Sequence, residues 1–336
     1  MGRDFKISRR RALAGLGAGV GASVAAPALL TQPSWAQSPF AAGKTIRMVV
    51  PFTPGGATDV IARIVADKLG QMWNTSIVIE NKAGAGGNIG NEMVARAEPN
   101  GETMLMSTIG LALNAFLYKK LTYDAINDFT PVSLITMMPN MLIAPVNAPF
   151  HSVAELVAYG RANQGKLSYA SSGIGTSIHL CGELFKKLTG IQMAHVPYRG
   201  SAPAVQDVMG GRCDLMFDNI TSSLPQVQGK TLQGLAVTTV KRSSFVPDLP
   251  PVNETVPGFD VSAWFGTLVP AKTPPEIVAR LSRDTQQALT DPHVKERLAA
   301  LAAEPLGASG ADFGKLIRSE TDKWGKLIKE AGISAE

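Results

Sequence analysis

Short apolar runs alternate along the chain with longer amphipathic stretches. Residues 45–50 form an apolar run closed by Pro51, the pattern of a buried strand. Residues 59–69 place apolar side chains at 60, 61, 64, 65 and 69, the spacing of one helix face. A second strand is predicted over 76–80. A helix over 88–97 stops at Pro99-Asn100-Gly101, a third strand covers 103–109, and a short helix covers 111–118. A long, mostly apolar piece follows over 132–145. The rhythm then repeats. The helix over 152–163 opens with a capping box of Ser152 and Glu155. A strand at 167–170, a helix at 177–188 ended by Gly190, a strand at 193–196 and a helix at 202–209 come next, with strands at 214–217 and 232–239. Residues 243–259 are rich in Pro and charge, lack periodicity, and predict a surface loop. A strand is expected over 262–270. From Pro274 the pattern is helical, with a break at Asp291-Pro292 and a last helix over 311–331 that has no strand of its own.

Such alternation predicts an α/β protein with parallel sheets covered by helices. The pattern runs once through 44–140 and again through 150–240, so two lobes are expected, each with a parallel sheet. The C-terminal helices complete the first. The expected division is 37–140 plus 263–336 for lobe 1 and 141–262 for lobe 2. The chain then crosses between lobes twice, which makes a hinge and an interdomain cleft.

The N-terminal stretch changes the charge argument. Arg3, Lys6, Arg9, Arg10 and Arg11 precede a charge-free run over 12–30, and Ser34-Trp35-Ala36 has the small residues of a cleavage site. Residues 1–36 are expected to be a secretory signal peptide cut after Ala36, with a twin-arginine-like order at Ser8-Arg9-Arg10-Arg11, and the mature protein is expected in the periplasm. The competing reading is an uncleaved anchor, disfavoured by a Gly/Ala-rich run. The chain has 32 Lys+Arg against 27 Asp+Glu, of which the leader holds five and one. The remainder is 27 against 26, a net +1. No basic patch is left to favour nucleic acid as a partner. Cys181 and Cys213, 32 residues apart with one His between them at His195, do not form a metal pattern; a disulfide and two buried thiols both stay open.

Three strand ends carry the candidate chemistry. The first runs into Pro54-Gly55-Gly56 and a helix containing Asp59. The second runs into Gly84-Ala85-Gly86-Gly87-Asn88, and a third, in the second lobe, into Gly173-Ile174-Gly175-Thr176. Glycine-rich loops feeding helix N-termini offer free N–H groups and a favourable dipole to an anion. In open α/β sheets ligands sit beyond the carboxyl ends of the strands, so these loops face one cleft. A carboxylate is the plainest fit. Residues 84–90 fail the dinucleotide fingerprint, and Gly160 to Lys166 resemble a phosphate loop but end a helix rather than open one. There is no G-x-S-x-G and no H-E-x-x-H. His179 in the first turn after Thr176, Tyr198 and Arg199 at a strand end, and Asp218 at another are candidates to meet the ligand, each with a packing or solvated role as its alternative. Asp59 reads most simply as a first-turn capping residue.

The ordered set of motifs resembles the Bug receptors, the solute-binding components of tripartite tricarboxylate transporters. It comprises Val49-Val50-Pro51-Phe52, Pro54-Gly55-Gly56, Asp59 with Ala62-Arg63, Asn81 through Gly90, His179-Leu180 and Gly182 through Phe185. His195 through Gly200, Asp207, Gly211, Asp214, Phe217-Asp218 and Pro257-Gly258-Phe259 complete it. The resemblance covers residues 44–332. It implies a two-lobed periplasmic binding fold that closes on a small carboxylate, a di- or tricarboxylate, an amino acid or an aromatic acid. The ligand would be held by loop backbone and bridging waters, and the partner would be a two-component membrane permease. Carried over, the ligand contacts fall on Pro54, Gly55, Gly56, Gly86, Gly87, Asn88, Gly173, Gly175 and Thr176, with Ser107 and Thr108 as weaker candidates. The chain departs from the family's pattern at Thr108-Ile109-Gly110, which is less polar than usual, and at its two cysteines. No catalysis, cofactor or metal is expected, and the protein is expected to be a monomer. The alternatives are a receptor feeding a signalling partner and an exported enzyme acting on a carboxylate.

Overall fold

A computed structural model describes residues 44–334, so the leader expected over 1–36 lies outside the described residues. In the first sheet, β1 (Ile46–Val50) is buried except at Arg47 and lies between two parallel neighbours, β2 (Ile77–Asn81) and β3 (Thr103–Thr108). A strand covered on both faces needs such a continuous apolar run. The crossovers are α1 (Ala57–Trp73) and α2 (Asn88–Ala95), and α3 (Gly110–Leu117) follows β3. The buried stripe of α1 includes Ile61, Val65, Leu69 and Trp73, and the helix ends at Asn74, which adopts left-handed φ of 49°.

The second sheet repeats this plan. Strands β5 (Leu167–Ser171), β6 (Met193–Pro197) and β7 (Leu215–Asn219) pair in parallel, in the order β7-β5-β6. They are joined through α5 (Ser177–Thr189) and α6 (Ser201–Met209), with α4 (Val153–Ala162) leading in. The capping box is formed: the Ser152 hydroxyl accepts from the Glu155 amide at 3.1 Å, and the Glu155 carboxylate accepts from the His151 amide at 2.7 Å.

Antiparallel strands join these parallel cores. The apolar piece expected over 132–145 is one strand of 17 residues, β4 (Phe129–Pro145). From Phe129 to Pro139 it pairs with β9 (Ser262–Pro270), and from Asn140 onward with β7 and β8 (Leu232–Val237), all antiparallel. The strand therefore changes sheets between Pro139 and Asn140. β9 closes against β3, again antiparallel. The sheets are thus mixed rather than purely parallel.

Three local features differ from the sequence reading. A helix, α7 (Ile220–Gln228), follows β7; its polar Thr221-Ser222-Ser223 and internal Pro225 hide the helical period. The C-terminal helices α8 (Pro275–Thr290), α9 (Pro292–Ala299) and α10 (Gly310–Ala331) do bring a strand, β10 (Pro305–Ser309), which pairs with β4. The loop over 243–259 is anchored by buried Val252, Val256 and Phe259, the last stacked on Phe217 at 5.7 Å. The Trp73 indole donates to Asp284 at 2.8 Å and ties α1 to α8. Gly266 permits Phe313 of α10 to lie on β9, because a Cβ there would fall 2.4 Å from the ring. Cys181 and Cys213 are both buried free thiols. Among the described residues, no helix is long and apolar enough to cross a membrane.

Candidate ligand site between the two sheets

The loops at the carboxyl ends of the strands face one another and touch. The Thr53 amide donates to the Arg199 carbonyl at 3.2 Å, and the Tyr118 hydroxyl reaches the Ile174 carbonyl at 3.5 Å. At this second rim Gly86 lies so close to Ile174 that a Cβ would fall 2.1 Å from its carbonyl oxygen. Gly175 approaches Asn114 equally closely, and a Cβ on Gly200 would fall 2.2 Å from the Thr53 hydroxyl. The described conformation is therefore closed. Gly86 and Gly175 also have φ of 62° and 89°, which a side chain would strain.

Behind these rims lies a cavity of about 20 Å³, room for about one or two waters. A carboxylic acid fits only if the wall side chains draw back behind the shut rims. The start of α1 contributes Gly56, Ala57 and Thr58, the end of β3 contributes Thr108, the N-cap of α3 contributes Ile109, and the start of α5 contributes Thr176 and Ser177. Ser201 opens α6 and Asn219 caps α7. Phe52, Ser172 and the first part of β9 at Ala263, Trp264 and Phe265 complete the wall. Five helix N-termini thus converge on one space, and each presents a partial positive charge of roughly half a unit from first-turn N–H groups that have no partner within the helix. Among the described residues, no ionisable side chain lines it. The indole N–H of Trp264, buried in this wall, has no hydrogen-bond partner. The arrangement suits an anion held by dipoles, hydroxyls and amides.

The structure distributes the residues singled out from sequence unevenly. Gly56, Thr108 and Thr176 line the cavity. Gly86, Gly173 and Gly175 form the rim that closes over it. Pro54, Gly55 and Gly87 stand in the supporting loops, Asn88 opens α2 and Ser107 lies in β3, and none of them is in the wall. Asn88 is held by its own lobe, its Oδ1 accepting from Asn114 at 2.5 Å and Tyr123 at 2.6 Å.

Asp59 turns back on its loop. Its carboxylate accepts from the Gly55 amide at 3.0 Å, from Arg63 at 2.9 and 3.0 Å and from Asn81 at 2.9 Å. Burial pushes this carboxyl up, but the hydrogen bonds from Arg63, Gly55 and Asn81 outweigh it and hold the group below the usual range. Its role is to fix the loop that starts α1.

His179 faces inward too. It stacks on His195 with ring centroids 4.5 Å apart, and its Nδ1 accepts from the Gly175 amide at 3.3 Å. His195 stacks on Tyr169 at 4.7 Å and bonds the Ser171 hydroxyl at 2.6 Å. Burial lowers both imidazoles, His179 to about 4 and His195 to about 3, so both are neutral supports beneath the Gly173–Gly175 turn. The Tyr198 hydroxyl donates to Asp207 at 2.6 Å, away from the cavity, and the Arg199 side chain is exposed. Asp218 is fully buried behind the wall, where Ser222 donates to its Oδ2. Burial pushes this carboxyl up to about 6, against the opposing pull of Ser222, Ser201 and the Asn219 amide.

Sequence reasoning missed Phe52, Thr58, Ser172, Ser177, Ser201 and Asn219. Apart from Phe52 they are small polar residues at strand ends and helix starts. The findable signal was the helix start itself at 201 and 220.

A family model described as the tripartite tricarboxylate transporter family receptor, TctC, matches residues 61–333. Among solved structures, the periplasmic binding protein BugD superposes with a TM-score of 0.83 at 36% identity, covering 86% of this chain and 98% of its own. Rpa4515 of R. palustris, solved with adipate, gives 0.84 at 38% identity over 86% of this chain and 98% of its own. MatC of Rhodopseudomonas palustris, solved with bound malate, gives 0.81 at 32% identity over 84% and 98%. The chain belongs to the TctC family, the receptors of tripartite tricarboxylate transporters.

Proposed function

We propose that this protein is a periplasmic receptor that captures a small carboxylate between two lobes and delivers it to a two-component membrane permease. The carrying observation is the convergence of five helix N-termini on a cavity without an ionisable side chain. That environment stabilises an anion and gives no group poised for bond making or breaking, so the reading assigns no catalytic step. Adipate in Rpa4515 and malate in MatC support a dicarboxylate as the first class to test. The mobile units in this reading are residues 37–140 with 263–336, and residues 141–262, turning about the sheet change in β4. Bridging waters fill what the ligand leaves of the polar wall.

A thermal-shift screen of residues 37–336 against small mono-, di- and tricarboxylic acids tests the reading. A ligand bound only by the folded state adds about 2.7 kcal/mol at a hundredfold excess over its Kd, a clear rise in Tm. A shift confined to one acid class names the solute. No shift with any acid, in folded protein freed of co-purified ligand, removes the carboxylate reading.

A further inference from the structure

Asn140 is the residue at which β4 enters the second sheet, and its side chain is wholly buried. An amide in such a place must be fully hydrogen-bonded or it destabilises the strand. Its Oδ1 accepts from Asn219 Nδ2 at 2.5 Å and lies 3.4 Å from the Ser177 hydroxyl, which donates to it. Its Nδ2 donates to Cys181 Sγ at 3.3 Å. The backbone amide of Asn140 donates to Thr238 Oγ1 at 2.8 Å, and its carbonyl accepts from the Thr238 amide at 3.0 Å. Thr238 then donates its hydroxyl to the Val261 carbonyl at 2.7 Å and accepts from the Val261 amide at 3.0 Å. Val261 immediately precedes β9, the second segment that passes between the sheets. Both crossings are therefore clasped together through Thr238, and two cavity-lining side chains hang from the same amide.

We infer that Asn140 is a positioning residue that couples the hinge angle to the ligand-facing side chains Ser177 and Asn219. The inference rests on the cleft being the ligand site. Both side chains direct a donor to Asn140 Oδ1, and Asn219 Nδ2 also reaches the Ser177 hydroxyl at 3.5 Å, so the Asn219 Oδ1 and one Ser177 lone pair remain for the cavity, where they accept from a bridging water or a ligand hydroxyl. Bending β4 between Pro139 and Asn140 moves the oxygen that holds them. Conversely, a ligand or water that fixes Ser177 and Asn219 favours one hinge angle. A buried network that is costly to leave half-made gives two discrete arrangements rather than a graded one.

Two variants of the mature chain test this, Asn140→Ala and Thr238→Val. The second touches neither Ser177 nor Asn219 and carries the test if the first does not fold. Lobe separation is read by energy transfer between dyes on Glu98→Cys and Lys166→Cys, first without ligand, and affinity by calorimetry with adipate and L-malate. Both variants are expected to change the ligand-free distribution of lobe separations and to weaken binding by about tenfold. Ser177→Ala should weaken the wild type but add little in the Asn140→Ala background, the non-additivity of a shared network. A wild-type distribution and affinity with only a lower Tm would make Asn140 a merely structural amide and overturn the inference. If the wild type binds neither acid, the carboxylate reading is what has failed. The ligand-free lobe distribution then still decides the role of Asn140.

Discussion

Gly86→Ala isolates the closed conformation energetically. The new Cβ would stand 2.1 Å from the Ile174 carbonyl oxygen and 2.7 Å from the Tyr118 hydroxyl, more than an ångström inside ordinary contact. The obstructing atom at Ile174 is backbone in the facing loop, so the overlap is relieved only by parting the rims. Two costs must be separated. The left-handed backbone, with φ of 62°, costs an alanine about 1–2 kcal/mol whether the cleft is open or shut. The overlap exists only when the cleft is shut, and overpacking of this kind costs about 1–3 kcal/mol. A ligand that binds by closure must supply this second amount, so affinity should fall by about 5- to 150-fold. Gly165→Ala is the control: its φ is 74° and nothing lies within 4 Å of the added Cβ. Calorimetry with a binding acid should show Gly165→Ala at wild-type affinity and Gly86→Ala far weaker, although both lower Tm. Equal affinities for the two variants would refute closure at the Gly86–Ile174 rim.

Ser201→Asp puts a carboxylate at the N-terminus of α6, where the helix tolerates it, and inside the cavity wall. Acid binding should weaken more than about 100-fold through like-charge repulsion, and Tm should fall as well because the new carboxylate also meets buried Asp218, which loses its Ser201 hydrogen bond; calorimetry and thermal denaturation check both. The pH dependence follows from the buried imidazoles. His179 titrates near 6.5 when unfolded and near 4 when folded, so its neutral form stabilises the fold above about pH 6.5 and that stability is lost as pH falls toward 4. The loss for His179 is on the order of 3 kcal/mol, His195 adds to it, and Asp218, raised to about 6, opposes it between its unfolded value and 6. Chemical denaturation from pH 7 to 4 should show the decline, and His179→Gln should flatten it. Cys181 and Cys213 are buried, and burial raises both thiols, so a thiol reagent should find none in the native protein and both after denaturation.

The elements themselves were legible wherever a single period dominated. The strand at 45–50 and the amphipathic stretch at 59–69 became β1 and α1 because burial on both faces and burial on one stripe leave different marks. The three glycine loops were legible as loops, and two of them do form the closing rim. What sequence could not show was direction. Asp59 and His179 sit within a turn of the cavity, yet Asp59 folds onto Gly55 and Arg63, and His179 onto Gly175 and His195. The antiparallel placement of β4, β9 and β10 was likewise invisible, since a doubly covered strand has the same composition in either sense. The wall residues Ser177, Ser201 and Asn219 are common helix-start residues, and only the meeting of five such starts makes them a site.

The shared strand also dictates an order of assembly. β3 and the first part of β4 have no partner between them until β9 arrives at Ser262, and β4 must also await β10 at Pro305. A chain emerging from its N-terminus therefore holds exposed strand edges through the synthesis of everything between, a state prone to pairing with other chains. The stretch from Asn140 to Val261 contains β5 to β8 and the half of β4 that pairs with β7 and β8, so it can condense as a contiguous unit first. The other half is built from distant segments, whose long loop closure slows folding. A truncation before Ser262 would therefore leave the first sheet as an open edge rather than a smaller receptor.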